Sequence, residues 1–298
     1  QIASATRVLA DQGLNIDAIR RLTGRVPLDE RKAQVRACIE FSVRGTPNDR
    51  EELQTNLMNL SSSLGMDFSF QQDTMYRRMR RLICFDMDST LIKTEVIDEL
   101  AERAGVGKQV KEITERAMRG EIDFRESFKE RVALLKELDE SVMKDIAVNL
   151  PITEGVDRLM YVLKKYGYKI AILSGGFTYF GNYLKEKYGI DYVYANNLEI
   201  IDGKLTGRYL GDIVDGKRKA ELLQLIAQIE NVDIAQTIAV GDGANDLPML
   251  SIAGLGIAFH AKPKVKANAR QSISTIGIDG VLYFLGFKDS YLDERANS

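Results

Sequence analysis

The sequence predicts an α/β chain, a doubly wound parallel sheet with an inserted helical cap, preceded by a smaller α+β unit. Three observations predict it. Short apolar runs of strand length at 82–85, 168–173, 192–195, 237–240 and 255–259 alternate with helical periodicity, the pattern of successive βα units. Between the first two runs, residues 93–150 carry helical patterns only and close at Pro151. Residues 1–73 have their own order of helix, strand, strand, helix and strand.

In that first unit Ile2, Ala5 and Leu9 recur at helical spacing, and the helix stops at Gly13. A strand follows over 15–22. Val35, Ala37, Ile39, Phe41 and Val43 then alternate with Arg36, Cys38, Glu40 and Ser42, as in a half-buried antiparallel strand with Cys38 on the polar side. Leu53, Leu57, Leu60 and Leu64 form one stripe of a second helix, and Met66, Phe68 and Phe70 alternate as a last strand. This αββαβ order resembles the ACT domain, a ferredoxin-like βαββαβ module, without its first strand. The resemblance implies a regulatory or dimerisation unit over 1–73, a homodimer, and a natural chain that extends before Gln1, where most of that family's effector-binding turn would lie. No effector site is assigned. Residues 74–81, with Arg77, Arg78, Arg80 and Arg81, read as a boundary, a solvated linker helix or a charged domain junction.

The second unit spans 82–298, with the helical cap at about 93–150. Asp123-Phe124-Arg125-Glu126 has the form of a capping box for one cap helix. Asp202-Gly203, between the runs 198–201 and 205–210, signals a hairpin. An amphipathic helix follows Gly216 and runs through Ile229.

Composition removes several function classes. The chain has 41 basic and 43 acidic residues and a pI near 5.8, so nothing in its charge calls for nucleic acid or an anionic membrane. The longest apolar stretches, such as 254–259, fall far short of the roughly 20 residues that cross a bilayer. Cys38 and Cys84 fall in different units without metal-type spacing, which predicts neither a disulfide framework nor a zinc site and fits a reducing cytoplasm. The single histidine, His260, has no visible Ser, Cys or metal-ligand companion. Histidine-dependent phosphatases and serine hydrolases are therefore set aside, and carboxylates must carry the chemistry.

Ligands of open α/β sheets gather beyond the C-terminal ends of strands. Asp86-Met87-Asp88-Ser89-Thr90 follows the first strand, Ser174-Gly175-Gly176 the second, and Gly241-Asp242-Gly243-Ala244-Asn245-Asp246 the run 237–240. Lys219, near the start of the helix after Gly216, can point back at the same place. Two carboxylates at a strand end suit a hard cation and a phosphoryl group, and one of them can be a nucleophile.

These elements, in this order, resemble the haloacid dehalogenase superfamily of phosphatases over roughly residues 82–291. The resemblance implies that Asp86 attacks phosphorus and becomes an aspartyl phosphate, while Asp88 protonates the leaving alkoxide and then deprotonates the attacking water. It implies Mg²⁺ as cofactor, held by Asp86, the backbone carbonyl of Asp88 and the carboxylate of Asp242, with Asp246 as a supporting partner. Ser174, the Gly175 N–H, Asn245 and Lys219 would surround the phosphoryl oxygens. In the cap it implies Glu95 for a substrate ammonium, Arg131 in Phe128-Lys129-Glu130-Arg131-Val132 for a carboxylate, and Met118 and Phe124 beside them. The resemblance implies phosphoserine, which carries both charges, as the substrate. The implied reaction is hydrolysis of O-phospho-L-serine to L-serine and phosphate, the last step of serine biosynthesis. The alternatives are another small phosphate ester, phosphoryl transfer to an alcohol, or an amino-acid-sensing regulator with secondary catalysis.

Overall fold

The computed structural model describes residues 1–24 and 37–292; the Val35 and Arg36 part of the predicted strand pattern lies outside them. Among the described residues the strands form two sheets, one two-stranded and one seven-stranded. In the first, β1 (Asn15–Arg21) and β2 (Ile39–Arg44) pair antiparallel. Helices Ile2–Asp11 and Arg50–Leu64 close a small core of Leu9, Leu14, Leu53 and Leu57, with Phe41 and Val43 against it. Cys38 and Glu40 fall on the other side, as the alternation predicts, but that side is covered rather than solvated. Glu40 pairs with Arg77 at 3.1 Å, and burial, then Glu40 and Asp289, push the Cys38 thiol up to about 11.

The predicted strand over Met66, Phe68 and Phe70 is not one in the structure. Phe68 and Phe70 pack on the small core, but the segment's polar groups are satisfied elsewhere. Asp67 accepts hydrogen bonds from the backbone of Ser274 at 2.7 Å and Thr275 at 2.9 Å, and Phe70 O accepts from Gln271 Nε2 at 2.8 Å. The arginine-rich stretch after it holds the short helix Met75–Arg78, and Arg80 is buried with Nη1 on Gln71 Oε1 at 3.0 Å. It is a charged junction more than a solvated linker.

The larger sheet is built from β3 (Leu82–Phe85), β4 (Lys169–Phe177), β5 (Tyr192–Ile201), β6 (Lys204–Leu210), β7 (Thr237–Gly241), β8 (Leu255–Phe259) and β9 (Gln271–Ile273), in the order β6-β5-β4-β3-β7-β8-β9. Neighbours are parallel except β5 and β6, a hairpin turned by Asp202 and Gly203, whose φ values are 51° and 76°. Three details differ from the sequence reading. β5 is one strand across both runs assigned to it, and β9, at three residues, carries too little pattern to be foreseen. The third bears on function. β4 runs on through Ser174-Gly175-Gly176, slipping register against β5 between Leu173 and Phe177, so that motif is a bulge inside a strand rather than a turn after one.

Alternate residues of β3 serve opposite faces. Ile83 and Phe85 join the cluster that includes the cap and helix Val156–Lys165, while Leu82 and Cys84 meet helix Gly216–Ile229. The connection after β3 leads toward β4 and that after β7 toward β8, on opposite sides of the sheet. The divergence opens a crevice at the C-terminal ends of β3 and β7.

Over this crevice stand helices Val96–Arg103, Gly107–Met118, Phe124–Ala133 and Ser141–Val148. Their two stems are tied together: Ile92 bridges Ile152, and Lys93 N donates to Pro151 O at 2.8 Å. Phe128 is the joint between cap and sheet, with ring centroids 6.4 Å from Phe124, 6.1 Å from Phe177 and 5.4 Å from Tyr209. Phe128→Ala is expected to cost about 3–5 kcal/mol of stability. Urea denaturation measures it, and a loss below about 1 kcal/mol would mean that the joint does not hold the cap.

Candidate active site

The end of β3 sets the geometry. Asp86 N donates to Val240 O at 2.9 Å, carrying the β3–β7 pairing one residue further. In extended chain, Asp86 and Asp88 fall on one side and Met87 on the other, in the core. The chain then turns through Ser89, whose φ of 57° is left-handed. Both hydroxyls of this turn are committed: Ser89 Oγ donates to Glu95 Oε1 at 2.8 Å, and Thr90 Oγ1 to Asp242 Oδ1 at 3.1 Å.

Lys219 enters from the first turn of Gly216–Ile229, a helix capped by Asp215, whose carboxylate accepts Arg218 N at 2.9 Å. Its ammonium is fully buried, 2.8 Å from Asp86 Oδ1 and 2.7 Å from Asp246 Oδ1. Burial opposes that charge, yet Asp246 and Asp86 outweigh it and hold the lysine above its ordinary value. Asp246 spends its second oxygen on Gly243 N at 2.9 Å.

Asp86, Asp242 and Asp246 each offer an oxygen within 4.8 Å of the others. Burial first, then Asp86, Asp246 and Glu95, push Asp242 up to about 8, with Thr90 working the other way. Asp88 is held well above the carboxylate range by burial, then by Glu95 and Asp86; Lys219 and a hydrogen bond from Val96 N–H offset part of this. Asp88 Oδ1 is buried without a hydrogen-bond partner. This is an all-oxygen cluster with more carboxylate than one ammonium balances, a donor set that fits a hard divalent cation. Asp246 has both oxygens engaged, which leaves Asp86 and Asp242 as the carboxylates best able to take it.

Ser174, Gly175 and Gly176 face these acids from β4. Ser174 Oγ, fully buried, accepts Gly176 N at 2.9 Å. A Cβ on Gly176 would lie 2.8 Å from Asp88 Oδ2, and one on Gly175 would lie 2.9 Å from Phe124 Cζ, so close approach requires both glycines. Asn196 holds the bulge in shape, with Nδ2 on Gly175 O at 2.8 Å and Oδ1 accepting Val214 N at 2.9 Å. Asn245 lies on the short turn Ala244–Asp246 between Asp242 and Lys219's partner Asp246.

On the cap side Glu95 precedes helix Val96–Arg103 without capping it, so its carboxylate, with Oε1 on Ser89 Oγ, stays exposed at the mouth. Desolvation first, then Asp86 and Asp98, raise its pKa, with Ser89 and Arg131 drawing it back. Arg131 donates Nε to Ser127 O at 3.3 Å; burial lowers its pKa against the pull of Asp98, Glu95 and Asp88. Met118, at the end of its helix, is 62% exposed.

The predicted residues Asp86, Asp88, Lys219, Asp242, Ser174, Gly175 and Phe124 thus converge, and Asp246 joins them as Lys219's second anion. His260 is elsewhere in role, its Nε2 2.9 Å from Ile276 O. Thr90, Gly176, Asn196 and Asp215 were not foreseen as site residues. An asparagine inside a strand run and an aspartate immediately before a helix were the available signals for the last two.

A family model described as haloacid dehalogenase-like hydrolase matches residues 80–254. The chain is 44% identical over 288 residues to the phosphoserine phosphatase of Streptomyces coelicolor, covering 95% of this chain and 68% of that one. Among solved structures it resembles a probable phosphoserine phosphatase from Vibrio cholerae in unliganded form, with a TM-score of 0.72, 42% identity, and coverage of 83% of this chain and 75% of that one. It also resembles a phospho-aspartyl intermediate analogue of phosphoserine phosphatase, with a TM-score of 0.65, 44% identity, and coverage of 69% and 98%.

Gly176→Ala places its methyl 2.8 Å from Asp88 Oδ2 and 2.9 Å from Met87 Cε, so both side-chain ends must move, with no charge added and no buried group removed. Turnover of a phosphomonoester should fall by about 10²-fold or more while thermal stability changes little. Near-normal phosphate release would show that the contact with Asp88 has no catalytic weight.

Proposed function

The chain belongs to the haloacid dehalogenase-like hydrolase family, and we propose that within it this chain hydrolyses O-phospho-L-serine to L-serine and inorganic phosphate through an aspartyl phosphate. One observation carries the reading: Asp86 lies against Lys219 at 2.8 Å, at the meeting point of the Ser174 bulge and the Asp242–Asp246 turn.

An Asp86 carboxylate oxygen attacks phosphorus and forms the new P–O bond. The bond to the serine oxygen breaks, and Asp88 gives that oxygen its proton. Water then attacks the same phosphorus, Asp88 takes the water's proton, and the P–O bond to Asp86 breaks. The buried, raised Asp88 is suited to begin this cycle protonated. Lys219 and the Ser174–Gly176 bulge bind the equatorial oxygens, with Asn245 contributing its amide. Mg²⁺ bound by Asp86, Asp242 and the Asp88 carbonyl would neutralise phosphoryl charge. Asp246 would then orient Lys219, since its oxygens are taken by Lys219 and Gly243.

Glu95 binds the substrate ammonium, oriented for it by Ser89. Arg131 binds the carboxylate, and Phe124 forms the wall over Gly175. Two free thiols, among the described residues, suit a reducing cytoplasm. Exposed Ile19 and Ile39 on β1 and β2 support association of two copies through the N-terminal unit.

Asp86→Asn should lower turnover by about 10⁴-fold or more, and acid-quenched enzyme should no longer carry covalent phosphate. Retained turnover would exclude the covalent route. Chelation with EDTA should abolish activity, and Mg²⁺ should restore it; activity insensitive to chelation would remove the metal from the mechanism. Arg131→Ala should raise KM for O-phospho-L-serine by about 10- to 100-fold, the worth of a charge-assisted hydrogen-bonded pair, and leave O-phosphoethanolamine nearly unaffected. Equal losses on both esters would show that Arg131 does not hold the carboxylate.

A further inference from the structure

Cap and sheet meet at a point separate from the stems and from Phe128. Arg125, second residue of helix Phe124–Ala133, places Nε 2.6 Å from Asp215 Oδ2, 90 positions away in sequence. The other Asp215 oxygen accepts Arg218 N at 2.9 Å, and its backbone carbonyl accepts Lys219 N at 2.9 Å. One carboxylate therefore joins the cap to the first turn of the helix that carries the buried ammonium. The residues on either side strengthen this link. Phe124 lies over Gly175, and Val214 N donates to Asn196 Oδ1 at 2.9 Å while Asn196 Nδ2 holds Gly175 O at 2.8 Å. The first turn of the cap helix thus rests on both the phosphate-binding bulge and the collar of the Lys219 helix.

We propose that the Arg125–Asp215 ion pair is a latch that holds the cap shut over Asp86, and that both members are positioning residues for the hydrolysis. Arg125 fixes closure, and Asp215 couples closure to the turn that presents Lys219. The Arg125 side chain is 52% exposed and that of Asp215 19%. Pairs of this kind shift an equilibrium by no more than about fivefold. A latch so weak closes on substrate and still opens to release serine and phosphate in each cycle.

Asp215→Asn, Arg125→Gln and the double variant test it. Asparagine caps helices about as well as aspartate, so the first substitution removes the attraction and keeps the helix start. In the ligand-free chain, amide hydrogen exchange in residues 124–133 should speed up about two- to fivefold in either single variant and no further in the double. KM for O-phospho-L-serine should rise by a similar factor without loss of kcat. Raising the salt concentration should produce the same acceleration of exchange in the unaltered, ligand-free chain and none in the variants. Unchanged exchange in both single variants, or losses that multiply in the double, would overturn the latch. Only the turnover arm rests on the phosphatase reading: if that reading fails, the unaltered chain releases no phosphate, while the exchange arm still decides the latch.

Discussion

One fully buried ammonium organises this site. Lys219 Nζ lies 2.8 Å from Asp86 and 2.7 Å from Asp246, which stand on the loops after β3 and β7. Removing a lysine from water costs several kcal/mol, and the cost is recovered only if both carboxylates are held at contact distance. Each of the surrounding constraints serves that requirement. Gly243 N–H fixes Asp246, the Asp86 N–H bond to Val240 fixes the end of β3, and the Asp215 cap fixes the turn from which Lys219 departs. The loops after β3 and β7 cannot move independently without uncovering a buried charge.

The same arrangement accounts for the site's chemistry. Asp86, Asp88, Asp242 and Asp246 are four carboxylates around one ammonium, and burial, then this surplus, raises Asp88 and Asp242 above the carboxylate range. A phosphoryl dianion entering such a pocket would be repelled unless a further cation came with it. A divalent ion held by Asp86 and Asp242 would remove that repulsion. On the proposed reading, Asp88, buried beside them, would hold its proton for the leaving oxygen.

The strand-end motifs were legible because each is local. Asp86, Ser174 and Asp242 are placed by runs of four to six residues, and parallel register aligns their strands, with Phe85 opposite both Ile172 and Val240. What escaped reading depends on partners far along the chain. Met66, Phe68 and Phe70 alternate correctly, but alternation records only which side is apolar; a strand also needs an adjoining edge, and this segment's hydrogen bonds lie some 200 positions on, at Gln271, Ser274 and Thr275. Ser174-Gly175-Gly176 reads as lying beyond its strand because glycines weaken a strand interior. Its glycines answer instead to the close approach of Asp88 and Phe124.

The cap is not a free lid. Its core is continuous with that of the sheet through Phe128, its stems are bonded to each other, and its far end is bound to the β5–β6 hairpin through Glu137 N to Leu205 O at 2.8 Å and Glu140 N to Gly203 O at 2.9 Å. Freedom is left mainly at the first turn of Phe124–Ala133, where the contacts are one ring over a glycine and one exposed ion pair. On the proposed reading, Glu95 and Arg131, which would bind the substrate's two charges, fall on different sides of this division. Glu95 is bonded to Ser89, within the catalytic turn itself, whereas Arg131 is on the helix whose start can lift. A substrate ammonium on Glu95 is therefore placed relative to the phosphoryl group whether or not the cap has settled. A carboxylate on Arg131 draws the helix toward that fixed point. On the proposed reading, only a ligand with both charges at the right separation spans the fixed and movable parts, so selectivity arises from the closure that such a ligand completes as well as from the pocket it fills.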